Sequence, residues 1–475
     1  MDSFKKIVKN IFSLFAGSFV SIILSAIFSI YIARSLGDVL FGTYSFVFAF
    51  VALLSIFLDL GYETLIIREV AKDKSKASTY LNNIISFRAL LSILIFCTMF
   101  LLVNILNFQE DVKTLTYIFG ISQIILSLSS VYRVVFRAFE RMDYEAGLNI
   151  FSNTFRCSLG IVLLFFGYGL LWIALVYLYT SIIDFFISYF ICEKKFVKTK
   201  SQLDYTFFKD TIKTALPIGF LAIFGLIYVR IDTVMLEFMK GAAVVGWYNA
   251  AYNLILGFGT IPFLFMNALL PHMSITSVNH KNALVNMYEK SFKFLMVIAL
   301  PMTVGICLLA DRFIILFYGQ DFLNSVTALQ VLSWDILLKF LYICLWFVLI
   351  SINKQILLVV CAGGGAFLNI MINLILIPNY SLVGAAIATI ITETFILVIY
   401  FYLAIKNDLK ITIKKSILKT TIACAVMAFF IYYFHNLNLI LLIIISAGIY
   451  FLIFYILKGF SKDEINLLKK LIRKQ

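Results

Sequence analysis

The sequence predicts an all-α, polytopic integral membrane protein with about fourteen transmembrane helices, and three observations carry that prediction. First, the chain of 475 residues is 62% hydrophobic and only 13% charged, with a mean hydropathy of +1.00, which leaves too few charges to cover a water-soluble surface of that size. Second, its apolar stretches are about twenty residues long, the length of helix that crosses roughly 30 Å of hydrocarbon, and they lack the short alternating segments of a membrane barrel. Third, lysine and arginine gather on alternate connections between those stretches, as the positive-inside rule requires.

Spans are expected near 11–33, 40–62, 84–106, 114–135, 147–167, 170–192, 214–236, 244–270, 291–310, 326–350, 355–377, 383–405, 417–434 and 439–457. The first follows Lys5, Lys6 and Lys9 as a signal sequence would, but it is too long for a signal core and no small-residue cleavage site stands out, so it is expected to be retained. Between the first two spans lies Gly37-Asp-Val-Leu-Phe-Gly42-Thr-Tyr44. The same Gly-x4-Gly-x-Tyr spacing returns 204 residues later as Gly241-Ala-Ala-Val-Val-Gly246-Trp-Tyr248, again between two apolar stretches. A repeat of this kind implies two pseudo-symmetric lobes, which in membrane transporters face each other across a substrate path. The long basic connection from Glu193 to Lys213 is the expected linker. That gives lobes at 1–205 and 206–405 of six spans each around a central cavity, with 406–475 supplying two extra spans and a basic tail. Within the tail, Lys462 to Gln475 alternates Ile465, Leu468 and Ile472 with lysines, a pattern suited to the inner membrane surface.

The outer connections hold only Arg34, Lys113, Lys240 and Arg312, while Arg88, Arg156, Arg230 and Lys339 fall within spans. The other 31 of the 39 basic residues lie on the side assigned to the cytoplasm, together with both termini. The net charge of +14 is then a fringe that meets anionic lipid headgroups rather than nucleic acid. Of the five prolines, Pro217 is placed at the start of span seven, Pro262 inside span eight and Pro301 inside span nine, where they bend the helix. Gly363 to Gly365 in span eleven, and Gly384 with Ala388 in span twelve, permit close helix contact.

Several chemistries are excluded. The seven cysteines have no CxxC spacing and no neighbouring histidine, so they read as packing residues rather than metal ligands; no metal or cofactor is expected. His272, His280 and His435 fall at span ends, as interfacial histidines do. No Gly-x4-Gly-Lys-Ser/Thr phosphate loop occurs, so transport would draw on an ion gradient, a substrate gradient or the membrane potential. The outer connections are too short to present the catalytic loop of a glycan polymerase, and the chain reads as a transporter rather than an enzyme.

Ionisable groups within spans are costly, about 3 kcal/mol even on the most lenient scale, and mark wet or paired sites. Arg156 shares a helix face with Asn149 and Asn153, a polar stripe. Arg156 and Lys339 are the primary candidates for holding an anionic headgroup. Arg88, close to the cytoplasmic side, and Arg230, toward the outer side with Asp232, are further candidates. Asp184, Asp335 and Glu393 would balance these cations or carry a coupling ion, Na⁺ or H⁺. Asp335 and Lys339, four apart on one face, can instead neutralise each other, and the whole set can equally be read as salt bridges that fix helix packing.

Several blocks resemble those of the polysaccharide-biosynthesis flippases of the O-antigen and capsule type. They are Ile32-Ala33-Arg34-Ser35-Leu36-Gly37, Phe41-Gly42-Thr43-Tyr44, Asp59-Leu60-Gly61, Ile67-Arg68-Glu69, Leu216-Pro217, Arg230-Ile231-Asp232, Gly246-Trp247-Tyr248, Leu376-Ile377-Pro378-Asn379-Tyr380 and Gly384-Ala385-Ala386-Ile387-Ala388-Thr389. The resemblance covers about residues 10 to 405. It implies the multidrug/oligosaccharidyl-lipid/polysaccharide (MOP) exporter fold and alternating access in the cell membrane. It also implies a substrate, an oligosaccharide on a polyprenyl or dolichyl diphosphate moved from the inner to the outer leaflet. One departure from the related lipid II flippases is that span one carries serines (Ser13, Ser18, Ser21, Ser25, Ser29) where they carry arginine. A Na⁺- or H⁺-coupled multidrug exporter of the same fold is the main alternative, and a membrane-embedded glycan polymerase or ligase the second.

Overall fold

A computed structural model describes residues 2–200, 203–279, 281–411 and 414–460, with side chains from Val20 onward except 278, 279, 414 and 415. His280 and the expected surface helix at 462–475 lie outside the described residues, as do the side chains of Lys5, Lys6, Lys9, Ser13 and Ser18. The described residues contain helices and no strand. They pack as two compact units, 1–249 and 250–475.

The first unit contains α1 (Asp2–Ser55), α2 (Tyr62–Lys72), α3 (Ala77–Ile105), α4 (Glu110–Ala138), α5 (Met142–Phe165), α6 (Leu170–Lys195), α7 (Tyr205–Lys240) and the beginning of α8 (Ala242–Leu256). The second contains the rest of α8, α9 (Thr260–Asn279), α10 (Lys281–Leu308), α11 (Ala310–Phe317), α12 (Ser325–Ser351), α13 (Gln355–Lys406), α14 (Lys414–Tyr433) and α15 (Leu439–Ile456). Twelve continuous helical stretches among the described residues are long and apolar enough to cross a membrane. Two of these are double. α1 breaks at Gly37, whose φ of 78° only glycine adopts freely, and α13 breaks at Ser381 with φ 53°. Phe28 and Tyr44, which a straight helix would separate by about 24 Å, both have ring centroids within 6.5 Å of that of Tyr177. In α13, a Cβ on Gly365 would lie 3.0 Å from Ile396. Each is therefore a folded-back pair, and the fourteen expected spans are accounted for.

The two glycine turns are built against each other. A Cβ on Gly42 would fall 1.8 Å from the carbonyl oxygen of Ala242, and one on Gly246 would fall 2.1 Å from that of Asp38. Asp38 and Ala242 are themselves equivalent positions of the repeat, 204 residues apart like Gly42 and Gly246. The contact is thus two-fold: each copy offers a glycine to the carbonyl of the other, the self-complementary arrangement of an isologous interface. No side chain fits at either position.

Other elements differ from expectation in ways that local chemistry explains. The second span ends at Leu58 rather than residue 62, because Asp59 accepts the backbone N–H groups of Gly61 at 3.2 Å and Glu63 at 3.0 Å and so starts the short α2. Pro217 lies inside α7, not at its start, since Asp204 caps the helix by accepting from Thr206 N at 2.9 Å. Those bonds from Thr206 also hold the Asp204 carboxyl below its usual range. Span eight is divided into α8 and α9 by a tight turn at Gly257–Gly259, and Pro262 sits in the first turn of α9, where a missing N–H costs nothing. The connection before α7 is fastened to α3: Asn82 Oδ1 accepts from Lys200 N at 2.8 Å and Asn83 Oδ1 from Asp204 N at 2.7 Å.

The first unit's core lies among α2, α3, α4 and α6, around Tyr62, Leu65, Ile66, Leu81, Val135 and Phe136. In the second, α14 and α15 dock on α10 through Val297, Cys424, Met427, Leu442, Tyr450 and Phe454, with the Tyr450 hydroxyl donating to Val297 O at 2.7 Å. Five of the seven cysteines are buried in this way.

Candidate functional site: acid-free guanidiniums on an aromatic floor

α1 packs on α5 where Gly160 faces Phe28; a Cβ on Gly160 would lie 2.3 Å from that ring. One turn before, Arg156 extends over the face of Tyr177 on α6, with Cζ 4.4 Å from the ring centroid. The Tyr177 hydroxyl meets that of Tyr44 at 2.7 Å, and both rings are buried. From α7, Arg230 lies over Phe48 at 5.6 Å, and Phe48 is 6.1 Å from Tyr44 and 6.2 Å from Tyr177 between centroids. Tyr44 stands within electrostatic reach of both arginines. The two guanidiniums thus share one aromatic floor made by Tyr44, Phe48 and Tyr177.

Among the described residues neither guanidinium has a carboxylate within ion-pair distance, and Arg156 Nε is buried without a hydrogen-bond partner. Two positive charges placed on aromatic faces and left without acids are an arrangement that can take an anion. The rings hold each cation through their negative faces without neutralising it, and a planar guanidinium can still offer paired N–H donors to phosphate oxygens.

Several other ionisable groups of this unit are engaged with each other. Arg88 is buried at 1% exposure. It donates to Asp59 at 2.5 Å, Glu63 at 3.3 Å, Ser127 O at 2.6 Å and Ser130 Oγ at 2.6 Å. Two carboxylates have come to it from outside its own helix. Asp184 is fully buried; it is paired with Arg133 and accepts from Ser129 at 2.7 Å and Ser152 at 2.8 Å. Its partner is Arg133, which the sequence placed at a span end. Arg137 and Glu145 form a further pair. Asn149 accepts from Arg133 at 2.7 Å, and Asn153 accepts from Ser25 at 3.5 Å. The polar stripe before Arg156 therefore joins α5 to α4 and α1.

In the second unit, Lys339 on α12 donates to Asp335 Oδ2 at 2.6 Å, and its ammonium lies 5.5 Å from the Tyr252 ring centroid. Glu393 on α13 is fully buried and within electrostatic reach of Lys339 and Tyr342. The sequence had the Asp335–Lys339 neutralisation as an open alternative, and the geometry makes it the actual contact. Asp335 Oδ1 has no hydrogen-bond partner. One ammonium thus stands among two buried carboxylates. Nearby in the same unit is an apolar cavity of about 540 Å³ lined by α10, α14 and α15 together with the end of α8, including Leu254, Met302, Met427, Ile443, Tyr450 and Phe451.

Sequence reasoning missed Tyr44, Tyr177 and Phe48, although Tyr44 closes the repeated glycine motif. The observation that decides the family is a match of the family profile described as "Polysaccharide biosynthesis protein" to residues 7–277, more than half of the chain. The chain belongs to this polysaccharide biosynthesis family. Within it, the chain is 22% identical over 413 residues to the capsular polysaccharide biosynthesis protein CapF of Staphylococcus aureus, covering 83% of this chain and 98% of CapF. It is also 24% identical over 170 residues to the probable low-salt glycan biosynthesis flippase Agl15 of Haloferax volcanii, but that match spans only 35% of either protein. Among solved structures, lipid II flippase MurJ in an inward closed conformation superposes with a TM-score of 0.79 at 18% identity, over 93% of this chain and 98% of MurJ. The fold is shared with MATE family transporters of the MOP superfamily. The polysaccharide biosynthesis family member described here therefore has the MOP transporter fold and is a multi-span membrane protein.

Proposed function

We propose that this protein is a flippase that carries an oligosaccharide linked to a polyprenyl or dolichyl diphosphate from the inner to the outer leaflet of the cell membrane, with both termini cytoplasmic. The observation that carries the reading is the acid-free pair Arg156 and Arg230 on the floor of Tyr44, Phe48 and Tyr177. A diphosphate brings the negative charge such a pair lacks. The names of CapF and Agl15, and the fold shared with MurJ, support the same assignment. In this reading the apolar cavity of the second unit accommodates part of the lipid tail. Asp335 and Glu393 supply the coupling charge, with Lys339 as their counter-ion, while Arg88 and Asp184 hold the helices in place.

Binding separates this reading from a drug exporter. Farnesyl diphosphate N-acetylglucosamine, a short soluble probe, is expected to raise the Tm of the purified protein in detergent by several degrees, as ligand binding to the folded state must. Tetraphenylphosphonium is expected to leave it unchanged. Stabilisation by the organic cation and none by the diphosphate would reverse the assignment.

A further inference from the structure

The first unit contains a second glycine contact, beyond the other end of the second half of α1 and against α7. A Cβ on Gly61 would lie 2.3 Å from Ala215 O of α7, and one on Gly219 would lie 2.6 Å from the backbone of Leu60. Nineteen residues separate Gly42 from Gly61, about 28 Å of helix and close to the thickness of a bilayer's hydrocarbon. The second half of α1 therefore meets α8 at its start, through Gly42, and α7 just beyond its end, through Gly61, near opposite membrane faces. At both, the glycine meets backbone rather than side chain, a close approach that only small residues permit.

The Gly61 contact has three further properties. Leu60 is held at φ 46°, a conformation disfavoured for leucine and maintained only where the surroundings impose it. Asp59 imposes it here, by accepting from Gly61 N and Glu63 N while bound to Arg88. Glu63 binds the same guanidinium and accepts from Ser130 at 2.5 Å. α7 meets this loop at Ala215 and Gly219, on either side of Pro217, where the helix lacks a backbone hydrogen bond and bends most easily. A strained loop, pinned by one guanidinium shared between two carboxylates, thus presses on the weakest turn of α7.

We propose that the two glycine contacts are gates that open alternately, and that Arg88, with Asp59 and Glu63, is the pin of the inner one. The inference rests on the transporter reading above. A path open at both ends would leak, so the two contacts part in different halves of the cycle. The outer gate has its backbone contact and the rings of Phe46 and Phe238 packed 5.7 Å apart beside it; the inner gate has the Arg88 pin, so the resting protein holds its cytoplasmic end closed. Loss of either carboxylate's hold on Arg88 relaxes Leu60 and frees the Pro217 bend. Arg88 is a positioning residue and touches no substrate.

The gates predict opposite responses to the same chemical change. Ser29→Cys is labelled with a membrane-impermeant maleimide in right-side-out and in inverted vesicles, and quantified by mass spectrometry of its peptide. Gly219→Val, which cannot close on Leu60, is expected to raise labelling from the cytoplasmic side about tenfold and lower it from the outside. Gly42→Val, which cannot close on Ala242, is expected to do the reverse. Arg88→Lys and Glu63→Gln add no bulk and are expected to shift labelling the same way as Gly219→Val, since a lysine ammonium cannot span both carboxylates as a guanidinium does. Should the valine variants fail to elute as folded protein, the Arg88 and Glu63 variants decide alone. Labelling that they leave unchanged, or that both glycine variants shift toward the same side, overturns the proposal. Labelling needs no substrate, so an absence of flipping alongside opposite shifts would remove the proposed substrate and leave the gates standing.

Discussion

Replacing Arg156 and Arg230 together with alanine is expected to weaken binding of a polyprenyl diphosphate sugar by roughly a hundredfold. Each substitution removes charged hydrogen bonds worth about 1.5–3 kcal/mol, and about 3 kcal/mol in total corresponds to that factor. The Tm should change little, because neither arginine is ion-paired in the protein and both remain partly open to solvent. Lysine at either position should recover part of the affinity, since it restores charge but neither the planar fork nor the stacking on Tyr177 or Phe48. Isothermal titration of detergent-solubilised protein with farnesyl diphosphate N-acetylglucosamine checks both. An unchanged Kd in the double alanine variant would remove these residues from the binding site.

The opposite pattern is expected of Lys339. Lys339→Met removes the ammonium bound to the buried Asp335, and breaking a buried pair from one side costs about 3–5 kcal/mol. A large fall in Tm should result even without ligand. Lys339→Met combined with Asp335→Leu should recover much of it, because replacing both charges of a buried pair with apolar groups is far less costly than stranding one. A single variant as stable as the wild type would mean that the carboxylates are already neutral or find another cation. Thermal unfolding followed by intrinsic fluorescence distinguishes these outcomes.

The contrast between Arg156 and Arg88 marks how far the sequence could be read. Span lengths are written in hydrophobicity, so all fourteen were legible, and the glycine repeat announced a duplicated turn. That its two copies press on each other was not legible, because spacing along a chain does not state which turns meet. Arg156 and Arg88 look alike in sequence, each an arginine inside an apolar stretch. Their partners come from elsewhere: Arg88 gathers Asp59 from the turn before α2, Glu63 from α2 and Ser130 from α4, while Arg156 lies on an aromatic ring. Position along the span placed Arg88 near the cytoplasmic side and did not show the acids that bind it. Asp184 shows the same limit, since Arg133 is its partner across α4 and α6. The Asp335–Lys339 pair was legible because four residues on one helix set its geometry.

The most direct test of the central claim is protein-dependent flipping of a fluorescent polyprenyl diphosphate sugar in proteoliposomes, read as the fraction of label reached by a membrane-impermeant quencher. Empty liposomes and the Arg156→Ala/Arg230→Ala variant serve as controls. The account predicts that the quenchable fraction rises from about half toward completeness with wild-type protein, as it would for a translocated lipid, and stays at the empty-liposome level with the variant. A quenchable fraction that wild-type protein leaves unchanged, for long- and short-chain diphosphate lipids alike and with Na⁺ and H⁺ gradients imposed in either direction, would contradict it.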